Sequence, residues 1–426
     1  MPCQIGVKLR SLRAMQPRPF RDPLNYAALL FPFVAAVENK LLPVVMLGAL
    51  AAAAFLAWPW RLRFWMPLIV VFALVLTWSL ASASWSIDPG HSLARFARLA
   101  LTVAAGLLLC RLAMTLAPTG RAAAARWLSA GLLIGSAAIL VDEAIRLLLP
   151  KDTPGFIDGL SALPFSALAI LILLVLFAML GGRQDVRLTL AAMAAAAAAI
   201  VLGGSSASFI ALAASAVACA GAYWLGRRAV LALAVLLPAV FVAMPLTLAT
   251  LDLPARIEAQ GRIVGGSTGH RLIIWRYVTD KIEAKPLLGW GLHAGRLLQD
   301  RENRADNDPR YADIMAVTYF HRGAKIELMP LHPHNAALQL WLELGGIGAA
   351  LYAALYAVCL IGLLRLPLTR EALAAGAALV AAVFVIGQLS FNVWQSWWLC
   401  AQFLTAAIFL LLAARGGEAA PSRTEP

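Results

Sequence analysis

The chain alternates between long apolar segments and short polar ones, with a single long polar segment between about Thr250 and Pro333. About twelve apolar segments approach the roughly 17–25 residues that a membrane-spanning helix needs. Lipid offers no hydrogen-bond partners, so a spanning segment must be a helix or part of a closed barrel. The segments are apolar without alternation, which excludes a barrel. The pattern therefore predicts an all-α polytopic membrane protein. The predicted spans are 24–37, 41–57, 64–83, 93–114, 127–149, 160–180, 188–202, 206–225, 229–249, 336–364, 373–389 and 394–414.

The composition supports this class and removes one alternative. Apolar residues make up 62% of the chain and charged residues 13%, whereas a soluble domain is about half apolar and a quarter charged. The net charge of +13 is compatible with nucleic acid as a partner. However, the basic residues are spread in short clusters between apolar segments, as the positive-inside rule requires. We therefore exclude nucleic acid and expect membrane lipids around the protein.

The charged residues between the spans predict a topology. Basic pairs fall on the side of the basic N-terminus, and the acidic residues fall mainly on the other side. Both termini are therefore expected inside and the long polar segment outside. We expect no cleavable signal peptide, because no small-residue cleavage site follows the basic start. The predicted regions are an N-terminal bundle of about nine helices (1–249), an outer loop (250–335), about three C-terminal helices (336–414) and a cytoplasmic tail (415–426).

The long polar segment has local structure of its own. Apolar residues recur at helical spacing over His270–Ala284, and Ser267 or Thr268 is expected to cap the start of that helix. Lys285-Pro286 is expected to end it, and Gly289-Trp290-Gly291 predicts a turn.

Two of the six histidines, His332 and His334, flank Pro333 where the polar segment meets the next span. A histidine outside lipid works as a base near neutral pH, and Asn335 suits a helix cap or a partner that orients the imidazole. A cap and turn with surface histidines is the structural alternative. A metal site is a weaker one, because no third or fourth ligand lies close by and no cysteine lies in the polar segment.

Arginines near the outer ends of predicted helices indicate an anionic ligand. Arg271 is predicted in the first turn of its helix, where its guanidinium and the helix N-terminus both suit phosphate oxygens. An ion pair with a carboxylate is the alternative. Arg95 and Arg98 share a helix face at the outer end of a span. Charge near lipid is costly without a partner, so either a lipid-linked diphosphate or phospholipid head groups are expected there.

A last polar group lies among aromatic residues before the final span. Asn392 and Gln395 stand between tryptophan and phenylalanine side chains on the predicted outer side. An interfacial aromatic belt is the first interpretation, and a saccharide site lined by the two amides is the second.

Taken together, these features resemble the O-antigen ligase and polymerase superfamily of bacterial envelope glycosyltransferases. About twelve spans with one large loop before the last three fit that superfamily, and the order of the motifs makes the resemblance specific. The matching motifs are Trp85-Ser86-Ile87-Asp88-Pro89, Arg271 four residues before Trp275, Pro286-Leu287-Leu288-Gly289-Trp290-Gly291, and His334-Asn335 followed by Glu343-Leu344-Gly345-Gly346-Ile347-Gly348.

The resemblance implies a glycosyltransferase of GT-C-like architecture in the bacterial inner membrane, active on the periplasmic side. The implied donor is a glycan on undecaprenyl diphosphate, and a ligase transfers it to the lipid A–core during lipopolysaccharide biosynthesis. No metal, nucleotide or other cofactor is implied, because the diphosphate already activates the donor. In a single inverting displacement, His334 fits the base and Arg271 fits the cation that stabilises the departing diphosphate. The expected substrate-binding residues are Arg95, Arg98, His332, Asn335, Arg276, Trp290, Asn392 and Gln395.

One position departs from the family pattern, and two other functions stay open. Many members carry an arginine at the start of the span matching Ser206–Phe209, which has no charge here; Arg95, Arg98 or Arg276 is expected to supply that cation. A polymerase or a protein-glycan ligase uses the same motifs.

A lipid or solute transporter is the alternative from a different class. It would rely on charges inside the spans, for which Asp142, Glu143 and Arg146 are the few candidates. No clear pair of interrupted helices of the kind typical of transporters is visible in the sequence.

Overall fold

A computed structural model describes residues 23–57, 65–115, 121–148, 163–180, 185–298, 308–318, 326–329 and 331–413. Within these ranges the regular elements are all helical, and an isolated β-bridge joins Val264 to Thr318. The basic N-terminus, the C-terminal tail and four of the loops that carry the predicted charge alternation lie outside the described residues.

A helix coincides with each predicted span to within a few residues, except at the start of the fourth and fifth spans, where the helix begins earlier. Among the described residues, eight helices are long and apolar enough to cross a membrane, and four further apolar helices are shorter. The prediction of an all-helical, polytopic membrane protein is confirmed; that all twelve helices cross stays a prediction. The helices are α1 Pro23–Val37, α2 Leu42–Ala57, α3 Met66–Ala81, α4 Pro89–Thr115, α5 Arg121–Leu148, α6 Leu163–Leu180, α7 Val186–Leu202, α8 Ser206–Leu225, α9 Arg227–Leu251, α10 Leu253–Ala259, α11 Gly266–Ala284, α12 Ala312–Ala316, α13 Ala336–Leu363, α14 Arg370–Leu389 and α15 Ser396–Ala413.

The apolar helices pack through small residues. In α7, Ala192, Ala196 and Ala199 are fully buried on one face, which lies against α5 and α6. Lipid is as apolar as a leucine side chain, so close backbone approach through small residues is a main source of attraction between membrane helices. The closest neighbours elsewhere are α1 with α5, α8 with α14 and α9 with α13.

Helix α13 is broken at Gly345. This residue has φ 65° and ψ −174°, a backbone region that is essentially restricted to glycine. A Cβ atom there would also collide with the carbonyl oxygen of Leu287. The segment that follows α11 therefore lies directly against the break.

The backbone groups at this break bond to partners outside the helix. The amide of Gly346 donates to the carbonyl of Pro286 at 2.8 Å, so both sides of the break are tied to the docked segment. Three consecutive carbonyls of α13 accept external donors: Leu342 from the Trp290 amide at 2.9 Å, Glu343 from the Gly291 amide at 2.8 Å, and Leu344 from the Trp78 indole at 2.9 Å. Buried backbone groups need such partners, and the break is therefore a built feature.

The helix in the polar segment differs from its prediction at one end. It begins at Gly266 after an N-cap at Gly265 that makes no side-chain cap bond, so the expected cap by Ser267 or Thr268 is wrong. Arg271 consequently lies in the second turn, not the first. The C-terminal end is confirmed, because α11 stops at Ala284 with Lys285 as its C-cap.

We expect Gly345→Ala to destabilise the protein by about 1–3 kcal/mol, because alanine at this φ and ψ is strained and its methyl meets the Leu287 carbonyl. The thermal unfolding midpoint in detergent measures this loss. The matched control is Gly48→Ala, where an added Cβ meets nothing within 4 Å. Equal midpoints for the two variants would contradict the prediction.

Candidate active site

His334 immediately precedes Asn335, the N-cap of α13, and the structure fixes its tautomer. Its Nδ1 lies 2.9 Å from the carbonyl oxygen of Ser390. A carbonyl only accepts hydrogen bonds, so Nδ1 carries the proton and Nε2 keeps its lone pair. Nε2 is the atom that a base needs, and its availability follows from one backbone contact.

Burial lowers the pKa of His334 below its ordinary value, while the hydrogen bond to Ser390 raises it and the charges of Arg271 and His270 lower it further. The imidazole is therefore neutral near pH 7. A neutral imidazole with a free Nε2 is the form that accepts a proton.

His332 supports His334 from behind. Its Nδ1 accepts the backbone amide of His334 at 3.1 Å, and the two rings are 4.2 Å apart. This bond holds His334 at φ 53°, a left-handed conformation that is uncommon outside glycine. Burial, followed by the charges of His334, Arg296 and Arg271, lowers the pKa of His332 to about 3. With Nδ1 already used as an acceptor, His332 is better suited to positioning than to acting as an alternative base.

Helix α11 holds the histidine segment from the other side. The indole of Trp275 donates to the carbonyl of Pro333 at 3.0 Å. Ile273, Ile274 and Val278 are fully buried in the core of the polar segment. The register of α11 thus places Arg271, one turn before Trp275, next to the two histidines.

Arg271 is a half-buried cation whose Nε is buried without a hydrogen-bond partner. The part of the chain that the structure describes gives it no ion pair. Burial lowers its pKa, and its charge lowers the pKa of both His332 and His334. A buried guanidinium without a partner is costly, so an anionic ligand suits this position.

A separate cavity of about 360 Å³ is linked to these residues through Arg296, which lines it and whose charge acts on His332. Four of its lining residues are basic and none is acidic, which makes it an attractive site for an anion. Its amide side chains include Gln395, whose Oε1 is buried without a partner in the described part of the chain and suits a hydroxyl donor. The lining residues are Lys40, Arg95, Arg98, Leu99, Thr102, His293, Arg296, Asn392, Trp394, Gln395, Ser396 and Leu399.

Arg296 and His293 both line the cavity, and Arg296 also acts on the histidine pair. Neither residue was predicted from the sequence. Arg296 ends a 3₁₀ turn at Ala294–Arg296; besides lining the cavity, it lowers the pKa of His332 by its charge. Burial, followed by the charges of Arg95, Arg296 and His91, lowers the pKa of His293 to about 3.

Glu343 is a further residue that sequence reasoning left without a chemical role. It is 1% exposed, although it lies in an apolar helix. Its Oε2 accepts from the His293 amide at 2.6 Å and from the Trp394 indole at 2.6 Å. The signal was present in the sequence, because a carboxylate inside an apolar span is rare and marks function.

Three predicted substrate residues are engaged elsewhere. Arg276 pairs with Asp313 at 3.0 Å on the far side of α11. The indole of Trp290 donates to the Lys281 carbonyl at 2.9 Å. Asn335 is the N-cap of α13, and its side chain accepts the Leu338 amide at 2.9 Å. The predicted cap is confirmed; the substrate roles of these three residues stay predictions.

The other candidates separate into two groups. Arg95, Arg98, Asn392 and Gln395 line the cavity, whereas Arg271, His332 and His334 form a separate group around the two imidazoles. The transporter candidates lie outside both groups. Asp142 is buried and pairs with Arg146 one turn away in α5 at 2.8 Å, as expected of a stabilised intramembrane charge.

A neutral imidazole, a half-buried guanidinium and a cationic cavity, at one end of an apolar helical bundle, make a site that suits an anionic ligand. Comparison with known proteins finds a family match over part of the chain. Residues 188–353 match the family model described as O-Antigen ligase. This region is therefore an O-antigen ligase family domain, and the resemblance seen in the sequence is confirmed.

Several curated relatives match the chain over a shorter stretch. "Putative polysaccharide ligase RT0347" of Rickettsia typhi is 32% identical over 146 residues, covering 34% of this chain and 33% of that protein. Similarly named proteins of Rickettsia prowazekii and Rickettsia conorii are 31% and 34% identical over 146 residues, covering 34% of this chain and 33% and 32% of those proteins. The match spans about a third of each relative's own length.

We expect the purified protein to bind inorganic diphosphate in the cavity. Arg296→Gln should weaken binding about tenfold, because a hydrogen-bonded charge contact is lost, and affinity should fall as salt increases. Thermophoresis in detergent measures both effects. Arg187→Gln, an equal charge change at an exposed position outside the cavity, is the control. Equal affinities for Arg296→Gln and the wild type would contradict the assignment.

Proposed function

We propose that the protein is an O-antigen ligase. In this proposal it transfers polysaccharide from undecaprenyl diphosphate to the lipid A–core, at the periplasmic face of the bacterial inner membrane. The observation that carries the proposal is the fixed, neutral His334 with a free Nε2 beside Arg271, which has no ion pair among the described residues. The family domain at 188–353 supports the substrate class.

The proposed reaction is a single displacement. The acceptor hydroxyl gives its proton to Nε2 of His334 while its oxygen forms a bond to the anomeric carbon of the donor. The bond from that carbon to the diphosphate oxygen breaks, and undecaprenyl diphosphate leaves with the electron pair. Attack from the opposite face inverts the anomeric centre. The proton on His334 then passes to solvent, which restores the neutral base.

The cations around the cavity suit the departing diphosphate. Arg95 and Arg296 at the cavity, and Arg271 next to His334, are fixed on helices or a short turn before the reaction begins, so stabilising the new charge needs little reorganisation. A diphosphate is already an activated leaving group, and the proposed chemistry therefore requires neither a metal nor a nucleotide. The free Oε1 of Gln395 suits a sugar hydroxyl of either substrate.

The polymerase and the protein-glycan ligase remain alternatives within the same domain family. Both would use the same base and cations, and they differ from the ligase only in the acceptor. Incubation with lipid-linked glycan and rough lipopolysaccharide distinguishes them, because only a ligase produces glycosylated lipid A–core. Movement of lipid across vesicles without any new glycosidic bond would support a transporter instead.

We expect His334→Ala to lower transfer in this assay at least about 100-fold, the usual contribution of a general base. Arg271→Ala should lower it about 100- to 1000-fold through lost charge stabilisation. Arg187→Gln serves as the control, all variants being compared at equal protein levels in the membrane. Normal turnover by His334→Ala would remove this residue as the base.

Transfer activity in the presence of EDTA is expected to equal the activity without it.

The pH profile tests the same residue independently. Because His334 acts in its neutral form and its pKa lies below the ordinary value of 6.5, transfer should be constant between about pH 7 and 8. It should fall as the pH drops through the lowered pKa, where the imidazole becomes protonated. The acid limb of kcat/KM therefore lies below pH 6.5. A limb centred above pH 7 would assign the essential group to another residue.

A further inference from the structure

Glu343 is the buried charge around which the walls of the cavity are organised. It lies in α13 two residues before the break at Gly345 and is almost inaccessible. A carboxylate in apolar surroundings is tolerated only when hydrogen bonds replace its water. The partners that it recruits therefore determine which segments are held against the helix.

Its carboxylate accepts hydrogen bonds from two separate segments and from one neighbour on the same helix. Oε2 accepts the His293 amide and the Trp394 indole, each at 2.6 Å. Oε1 accepts Nε2 of Gln339 at 3.0 Å. In turn, Oε1 of Gln339 accepts the Val393 amide at 3.1 Å, so the loop before α15 is held twice.

Both held segments form walls of the cationic cavity. The first carries His293 and Arg296, and the second carries Asn392, Trp394 and Gln395, all of them lining residues. His293 has φ 65°, a conformation that persists only where its surroundings enforce it. The bond from its amide to Glu343 supplies that constraint.

The second segment also reaches the base. It begins at Ser390, whose carbonyl fixes the tautomer of His334, and it ends at the residues held by Glu343 and Gln339. One carboxylate thus connects the wall of the anion cavity to the backbone that orients His334.

We propose that Glu343 is a positioning residue that holds the anion cavity and His334 in one fixed frame. The substrate named in this inference rests on the proposed function, whereas the geometry does not. The carboxylate, with acceptors only, matches the donors of His293, Trp394 and Gln339, and the amide of Gly295 also faces it. In Glu343→Gln an amide NH₂ must face either the His293 and Trp394 donors or Nε2 of Gln339. Rotating Gln339 to relieve the second clash would break its bond to Val393.

The chain offers a matched rescue. In the double variant Gln339→Glu with Glu343→Gln, the carboxylate at 339 accepts both the Val393 amide and the new carboxamide NH₂. The carboxamide oxygen at 343 then accepts from His293 and Trp394. The donors of His293, Trp394 and Val393 keep their acceptors, and only the position of the charge changes. A residue needed merely for bulk or helix stability would gain nothing from this exchange.

The test measures inorganic diphosphate affinity and the KM and kcat of transfer for the wild type, Glu343→Gln and the double variant. We expect Glu343→Gln to weaken diphosphate binding about tenfold and raise the donor KM similarly, with restoration to within about threefold in the double variant. Thr405→Val, a buried polar change in α15 outside the cavity, is the control for general effects on the bundle.

The outcomes separate the two proposals. Wild-type affinity and KM in Glu343→Gln would overturn the positioning role, as would a folded double variant that binds as weakly as Glu343→Gln. If Glu343→Gln does not accumulate, a folded double variant with wild-type affinity still supports the role, and one that binds weakly overturns it. Diphosphate binding without transfer in the wild type would reject the ligase and leave the positioning role standing. No binding by the wild type would overturn the cavity assignment and this inference together.

Discussion

The break in α13 at Gly345 is the constraint on which the site depends. A continuous helix would present only side chains at this level, whereas the break exposes backbone carbonyls to the segment after α11 and to Trp78. The docked segment then runs past the helix and carries His293 and Arg296 to the cavity. Since buried backbone groups must be paired, the geometry of the break and the position of the cations are determined together.

The charges that surround His334 are brought together by contacts between separate segments of the chain. Arg271 and Arg296 lie close enough for their charges to lower the pKa of His332, and Arg271 also lowers that of His334. Positive charge therefore does two things at once: it attracts an anion and keeps the imidazole unprotonated. The hydrogen bond from His334 to Ser390 raises the pKa of His334. It fixes the tautomer, but it makes the lowering of that pKa smaller.

The sequence predicted the helices well because apolar length is a local property. It also identified Arg95, Arg98, Asn392 and Gln395, since amides and cations at the polar ends of spans are conspicuous. It missed His293, Arg296 and Lys40, whose importance arises from docking between segments far apart in the chain. The start of α11 was misplaced because side-chain caps are only a preference, and here a glycine without a cap bond precedes the helix.

The start of α8 carries no charge, and the cations of the site belong to other elements. Ser208 is buried there and its hydroxyl bonds to that of Ser205, so the stretch packs as an ordinary membrane helix. Of the cations considered as substitutes, Arg276 is occupied by Asp313, whereas Arg95 and Arg98 face the cavity together with Lys40 and Arg296. Four cations from three different elements line the cavity proposed for the diphosphate, so the charge complementarity proposed there does not depend on an arginine in α8.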